Sequence, residues 1–183
     1  TSSLQLTEPS QALPYAERAT DLLPTSGPAH ANLGAVLGAL DDHGDAVREY
    51  QAAAELMELS PELLLNLADS LGKLRRYDEM VNTLDAAIEL QETSLAWERL
   101  GYAHFKLRQY DQARAAFREA IELDPRHYPA LNGLGVCLLN DYLASDREDR
   151  ASKEEAIRLV QQSLRINKRQ TRILELVTRF RNS

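Results

Sequence analysis

Residues 97–125 read Trp-Glu-Arg-Leu-Gly-Tyr-Ala-His-Phe-Lys-Leu-Arg-Gln-Tyr-Asp-Gln-Ala-Arg-Ala-Ala-Phe-Arg-Glu-Ala-Ile-Glu-Leu-Asp-Pro. The stretch spells two amphipathic helices and the turn between them. Leu100-Gly101 marks the inner face of the first helix. Ala113, Phe117 and Ala120, spaced i, i+4 and i+7, share one face of the second. Arg108 to Asp111 is the turn.

Moving outward, the same signature returns on both sides. Leu33-Gly34, Leu67-Ala68, Leu100-Gly101 and Leu134-Gly135 follow one another at intervals of 34, 33 and 34 residues. The second-helix series Ala46, Tyr50, Ala53 returns as Met80, Leu84, Ala87 and as Ala113, Phe117, Ala120. A fourth copy, Ala156, Val160 and Ser163, arrives 9 residues late. The small residues let paired helices approach closely. The large ones, Tyr50, Leu84 and Phe117, then fill the space between successive hairpins. One hairpin cannot bury its apolar face alone, but a stack of them can.

This register predicts one all-α domain over residues 1–183. It divides into a half repeat at 9–26, repeats at 27–60, 61–93 and 94–127, and a fourth at 128–169 with an insertion at 140–150. Ile173, Val177 and Phe180 lie on one face of a capping helix at 170–181. Ser60-Pro61-Glu62 reads as cap, first-turn proline and first-turn acid, with Pro28 and Pro129 at equivalent junctions. Asp78 and Asp111 suit the caps of second helices, and Ser152 to Glu155 reads as a capping box. Ala12, Ala16, Ala19 and Pro24 match only the second half of a repeat. That predicts either a longer natural chain or an open face covered by Leu4 and Leu6.

Trp97, Leu100, Gly101, Tyr110, Ala113, Phe117, Ala120 and Pro125 together resemble a nearly complete tetratricopeptide-repeat consensus. The resemblance runs from about Ala12 to Lys168. It implies a right-handed α-α superhelix, a tetratricopeptide solenoid with a C-terminal capping helix. It also implies a protein–protein interaction scaffold or adaptor that holds a peptide or amphipathic helix of another protein in its concave groove. The alternative is a regulatory or targeting module of a larger multidomain enzyme.

In tetratricopeptide proteins the stripe opposite the inner face of each first helix lines that groove. By resemblance, the peptide-binding residues are Leu65, Asp69 and Lys73 in the second repeat. In the third they are Glu98, Tyr102, Phe105 and Lys106, and in the fourth Asn132, Val136 and Leu139. The first repeat offers the small residues Ala31, Ala35 and Ala39. Leu65, Tyr102, Phe105, Val136 and Leu139 are expected to form an apolar strip, unless the C-terminal segment or the insertion folds over it. Family members that bind chaperones grip a peptide carboxylate with Lys and Asn at two groove positions. Here those positions hold Ala31 and Ala35, then Leu65 and Asp69, then Glu98 and Tyr102, which disfavours such a clamp.

The totals agree with a binding module. The chain of 183 residues carries a net charge of −7. From Arg165 onward, six cations face Glu175 alone, so the rest is strongly acidic and nucleic acid is not an expected partner. No apolar run reaches the length of a membrane span, and Thr1 to Ser10 lack the order of a signal peptide. Together with a single cysteine, Cys137, this predicts a cytoplasmic setting. Neither a cofactor nor a metal is expected. Asp41 to Asp45 superficially resembles a metal loop, but its register puts it in a helix–helix turn. Gly133-Leu-Gly135 lacks the lysine of a phosphate loop, and His30, His43, His104 and His127 are scattered over separate repeats. The chain is therefore read as a non-enzyme.

Overall fold

The computed structural model describes residues 9–181, which fold into ten α-helices with no strand among them. Helix starts follow local chemistry. Ser26 caps α2 (Gly27–Ala39), Ser60 caps α4 (Pro61–Lys73) and Thr93 caps α6 (Ser94–Lys106). Each hydroxyl accepts a backbone N–H three residues on, satisfying a donor the helix itself cannot reach. Proline in the first turn of α2, α4 and α8 (Tyr128–Ala144) uses positions where no backbone donor is needed.

The first helices α2, α4 and α6 end the same way. Asp41, Arg75 and Arg108 sit at φ 63°, 61° and 61°, left-handed positions usually given to glycine. After each, the chain turns back: Asp42 N–H donates to the Leu37 carbonyl, Arg76 to Leu71 and Gln109 to His104. These 6→1 bonds close the helix and aim the chain directly into α3 (His43–Leu56), α5 (Tyr77–Leu90) and α7 (Tyr110–Leu123).

Two expected caps are corrected here. Asp78 and Asp111 do not cap their helices; they lie inside the first turn, two residues past the cap position. The residue ahead of α7 is Gln109, whose side chain makes no cap bond. Asp111 instead pairs with Arg114, and ahead of α5 Arg76 forms a two-pronged bond to Glu79. The third correction concerns Ser152. Helix α9 (Arg150–Ile166) is capped by Asp149, whose carboxylate accepts both the Ser152 N–H and the Ser152 hydroxyl. The helix starts a turn earlier because the carboxylate is the stronger acceptor for those donors.

The helices divide into two compact units, residues 1–90 and 91–183. The first carries α1 (Pro9–Leu22) through α5 and the second α6 through α10 (Thr171–Arg181). Within each, consecutive helices pack as neighbours. The glycines permit the closest approaches. A Cβ added to Gly34 would lie 2.9 Å from the Tyr50 ring, one on Gly101 2.7 Å from Phe117, and one on Gly135 2.7 Å from Val160. Ala53, Ala87 and Ala120 are buried to 1% or less on the facing helices. Phe117 also lies under Gly133, so one ring fills the space between α6 and α8.

Ser163 occupies the place of an alanine in the fourth hairpin. Its buried hydroxyl is satisfied by the Tyr128 carbonyl and by Gln170. Cys137 is a small core residue, and burial pushes its thiol up to about 11. The expected role of Leu4 and Leu6 falls outside the described residues.

Candidate functional site

The groove positions differ between the units. On α4, Leu65 and Asp69 are half-buried and Lys73 is exposed. Asp69 stands close enough to Tyr50 to add to the burial that lifts its hydroxyl up to about 12. A cleft of about 230 Å³ opens beside them, but its walls are other residues: Ala31, Asn32, Ala35, Tyr50, Leu63 and Asn66 among them. Ser60 and Glu62 add polar groups to its lining.

In the second unit, α6 and α8 bring five of the expected residues together. Tyr102, Phe105, Lys106, Asn132 and Val136 line a cleft of about 190 Å³ floored by Phe117 and Gly133. Local packing orients them. Phe105 lies edge-on to Tyr110, with ring centres 5.7 Å apart, and backs onto the core. Lys106 places its ammonium 5.2 Å from the centre of the Tyr102 ring, which is 40% exposed. The Asn132 amide donates to Gln170 Oε1 at 2.6 Å. Its own oxygen is buried and meets no donor within the described residues. Glu98 is half-buried on α6 and is not among the residues lining the cleft.

One expected member is corrected. Leu139 is only 5% exposed and belongs to the buried cluster that contains Tyr142 and Phe180. Helix α10 supplies Phe180, which meets Tyr142 edge-on at 6.3 Å. The helix wheel puts Leu139 on the groove stripe, but in the fold its side chain is part of the buried core. Phe117 and Gly133 were the missed members. The clue was Gly133 itself, a glycine one turn ahead of the fourth repeat's Cys137, where only a missing side chain leaves room for the ring.

The titratable groups near the cleft are engaged locally. His104 is hydrogen-bonded to Gln109, and the described residues hold no group of three metal-ligating side chains. No helix among them is long and apolar enough to cross a membrane.

The tetratricopeptide repeat is the matching family model, over residues 61–94 and again over 94–127. No characterised protein matches at the sequence level. Solved structures do. YrrB, described as a tetratricopeptide protein with an unusual peptide-binding site, shares 21% identity at a TM-score of 0.76, covering 93% of this chain and 84% of that one. MamA from Desulfovibrio magneticus RS-1 shares 19% at 0.76, covering 87% and 88%. TTC0263 from Thermus thermophilus, a thermophilic tetratricopeptide protein, shares 16% at 0.68, covering 96% and 91%.

Proposed function

Since the chain is a tetratricopeptide-repeat protein, we propose that it is a scaffold that holds a segment of another polypeptide, with the α6–α8 cleft as its main anchor point. The observation that carries this reading is the cleft's composition. An apolar floor of Phe117, walled by Phe105 and Val136, is bordered by a cation, Lys106, and by the exposed Tyr102 ring. An apolar side chain of the partner fits the floor. A carboxylate next to the anchor fits Lys106. Glu98 on α6 is assigned to a further contact beside this cleft, and Leu65, Asp69 and Lys73 on α4 are assigned to peptide contacts of the first unit.

The repeats at 27–60, 61–93, 94–127 and 128–169, with the half repeat and the capping helix, are read as one array serving that purpose. YrrB, whose structure is described by its peptide-binding site, lends this reading support by fold alone.

Selection of a displayed random-peptide library on the purified chain tests it. Enriched sequences are expected to share an apolar anchor with an acidic neighbour. Tyr102→Ala and Lys106→Glu should each weaken an enriched peptide by roughly tenfold, about 1.4 kcal/mol. Failure to enrich any sequence, or wild-type affinity retained by both variants, removes the reading. Phe105→Ala is a poorer probe, because its ring also supports Tyr110 and the core.

A further inference from the structure

The hairpin of α8 and α9 is longer than the three before it, and the extra length lies at its tip. Helix α8 has 17 residues where α2, α4 and α6 have 13. Helix α9 has 17 where α3, α5 and α7 have 14. The turn between them, Ser145 to Asp149, has five residues where the other three turns have three. Together these are the 9 residues by which the fourth copy of the repeat arrives late. Leu134-Gly135 stands as far from the start of α8 as Leu33-Gly34 does from the start of α2, so α8 is extended at its C-terminal end. Ala156 stands three residues further into α9 than Ala46 does into α3, so α9 is extended at its N-terminal end. One added turn on each helix raises the tip by about 5 Å.

The added residues build an open cavity of about 560 Å³, lined by Tyr142, Arg147, Arg150, Lys153 and Glu154. Its apolar wall is fixed by packing. Tyr142 is 5% exposed and lies edge-on to Phe180. Lys153 holds its ammonium 5.4 Å from the centre of the Tyr142 ring. The Tyr142 hydroxyl makes no hydrogen bond among the described residues. Three cations face one acid in this lining, although the whole chain carries −7. The Arg147 and Arg150 side chains are exposed and form no ion pair among the described residues. The nearby carboxylates are engaged or turned elsewhere. Asp141 is held by Arg114 of α7 at 2.5 Å, and Asp149 is spent on Ser152 at the α9 cap. Asp146 and Glu148 are exposed and are not part of the lining.

We propose that this cavity binds a phosphomonoester, carried by a phosphorylated side chain or by a small phosphate ester. The charges match, since three cations less one acid meet a group of about −1.5 to −2 at neutral pH. The donors match as well. Two guanidinium forks and one ammonium suit three acceptor oxygens, whereas a carboxylate offers two oxygens and half the charge. The cavity is larger than a phosphate alone, which leaves room for the group that carries it. The ring of Tyr142 gives that group an apolar wall. No lining residue is shared with the α6–α8 cleft, so this is a separate binding point.

Titration of the full chain, followed by amide NMR, tests the proposal with two probes: glycerol 3-phosphate and a short neutral peptide carrying phosphoserine. Both should saturate, with the shifts concentrated between Tyr142 and Glu154. A tighter peptide identifies the phosphorylated side chain as the source, and an equal or tighter glycerol phosphate identifies the free ester. The same peptide without phosphate should not bind. Arg147→Gln and Arg150→Gln should each weaken the phosphate probes by roughly tenfold, as expected for the loss of one charge-assisted contact. Glu154→Gln should tighten them. Lys153→Gln supplies the same arm if either arginine variant loses helical content by circular dichroism. Failure of both probes to saturate at millimolar concentration overturns the proposal. So does a glutamate-for-phosphoserine peptide that binds as tightly as the phosphopeptide, or binding that survives removal of both arginines.

Discussion

Tyr50 in the first unit and Phe117 in the second occupy the same place in the repeat, yet they serve different surroundings. Tyr50 lies against Gly34 and lines a cleft with Asn32 and Asn66. Phe117 lies against Gly101 and Gly133 and floors a cleft walled by Phe105 and Val136. The backbone arrangement is common to both, since the small-against-large contact that sets helix spacing is retained. Charge and polarity of the groove are decided by residues that play no part in that contact. A repeat of this kind separates the positions that build from the positions that bind.

The strongest way to break the comparison is Phe117→Ala. The ring is 3% exposed and touches two helices, so its loss should cost about 3–5 kcal/mol, read by chemical denaturation. Tyr50→Phe keeps its ring in place and should cost far less, which would isolate the ring as the structural part. Equal losses would show that the Tyr50 hydroxyl, not the ring, holds the first unit. Next in size are the glycines. Gly34→Ala and Gly101→Ala each force a Cβ against an aromatic ring, at 2.9 and 2.7 Å, and should destabilise by about 1–3 kcal/mol. Unchanged melting of both would deny that close approach sets the hairpin.

Smaller, and opposite in sign, is the effect of relieving the turns. Arg75→Gly and Arg108→Gly place glycine at φ near 61° and should stabilise their hairpins by about 1 kcal/mol, measured as a shift in the denaturation midpoint. The same exchange at an ordinary helical site would destabilise.

The smallest contrast is between two histidines. His30 directs Nδ1 at Glu49 (2.6 Å) and Nε2 at the Pro24 carbonyl (3.1 Å), and the Glu49 hydrogen bond holds its pKa above the usual 6.5. Its contribution to stability is complete below pH 6.5 and is lost as pH rises through the raised value. Burial lowers the pKa of His127, so its contribution is present above 6.5 and is lost as pH falls through the lowered value. NMR titration of the two rings should therefore give midpoints on either side of 6.5. Midpoints on the same side would refute one of the two environments.

Much of the fold was legible in the sequence because it is written twice, in apolar spacing and in small-against-large pairs. Leu33-Gly34 and its three echoes are set by local helix geometry, so periodicity alone locates them. What was misread depended on neighbours. Asp78 and Asp111 looked like caps because each is a carboxylate between the turn and the apolar run that follows. After the left-handed residue, Arg75 or Arg108, the helix starts two positions sooner than those caps would set it. Ser152 lost the cap position to Asp149 because two capping residues stand three apart and the carboxylate receives both donors. Of the expected groove residues, those on α6 and α8 were legible as a stripe. Leu139 was not, since it is buried in a cluster drawn from α7, α8, α9 and α10, which no single helix wheel contains.

Cys137 gives the molecule a built-in clock. It is the chain's single thiol, fully enclosed in the second unit, with its pKa raised to about 11. A thiol-modifying reagent can reach it only during transient openings, so the labelling rate counts those openings directly. The first unit, having no cysteine, contributes nothing to that signal. Local breathing of one half of the chain can thus be timed without engineering a probe into it.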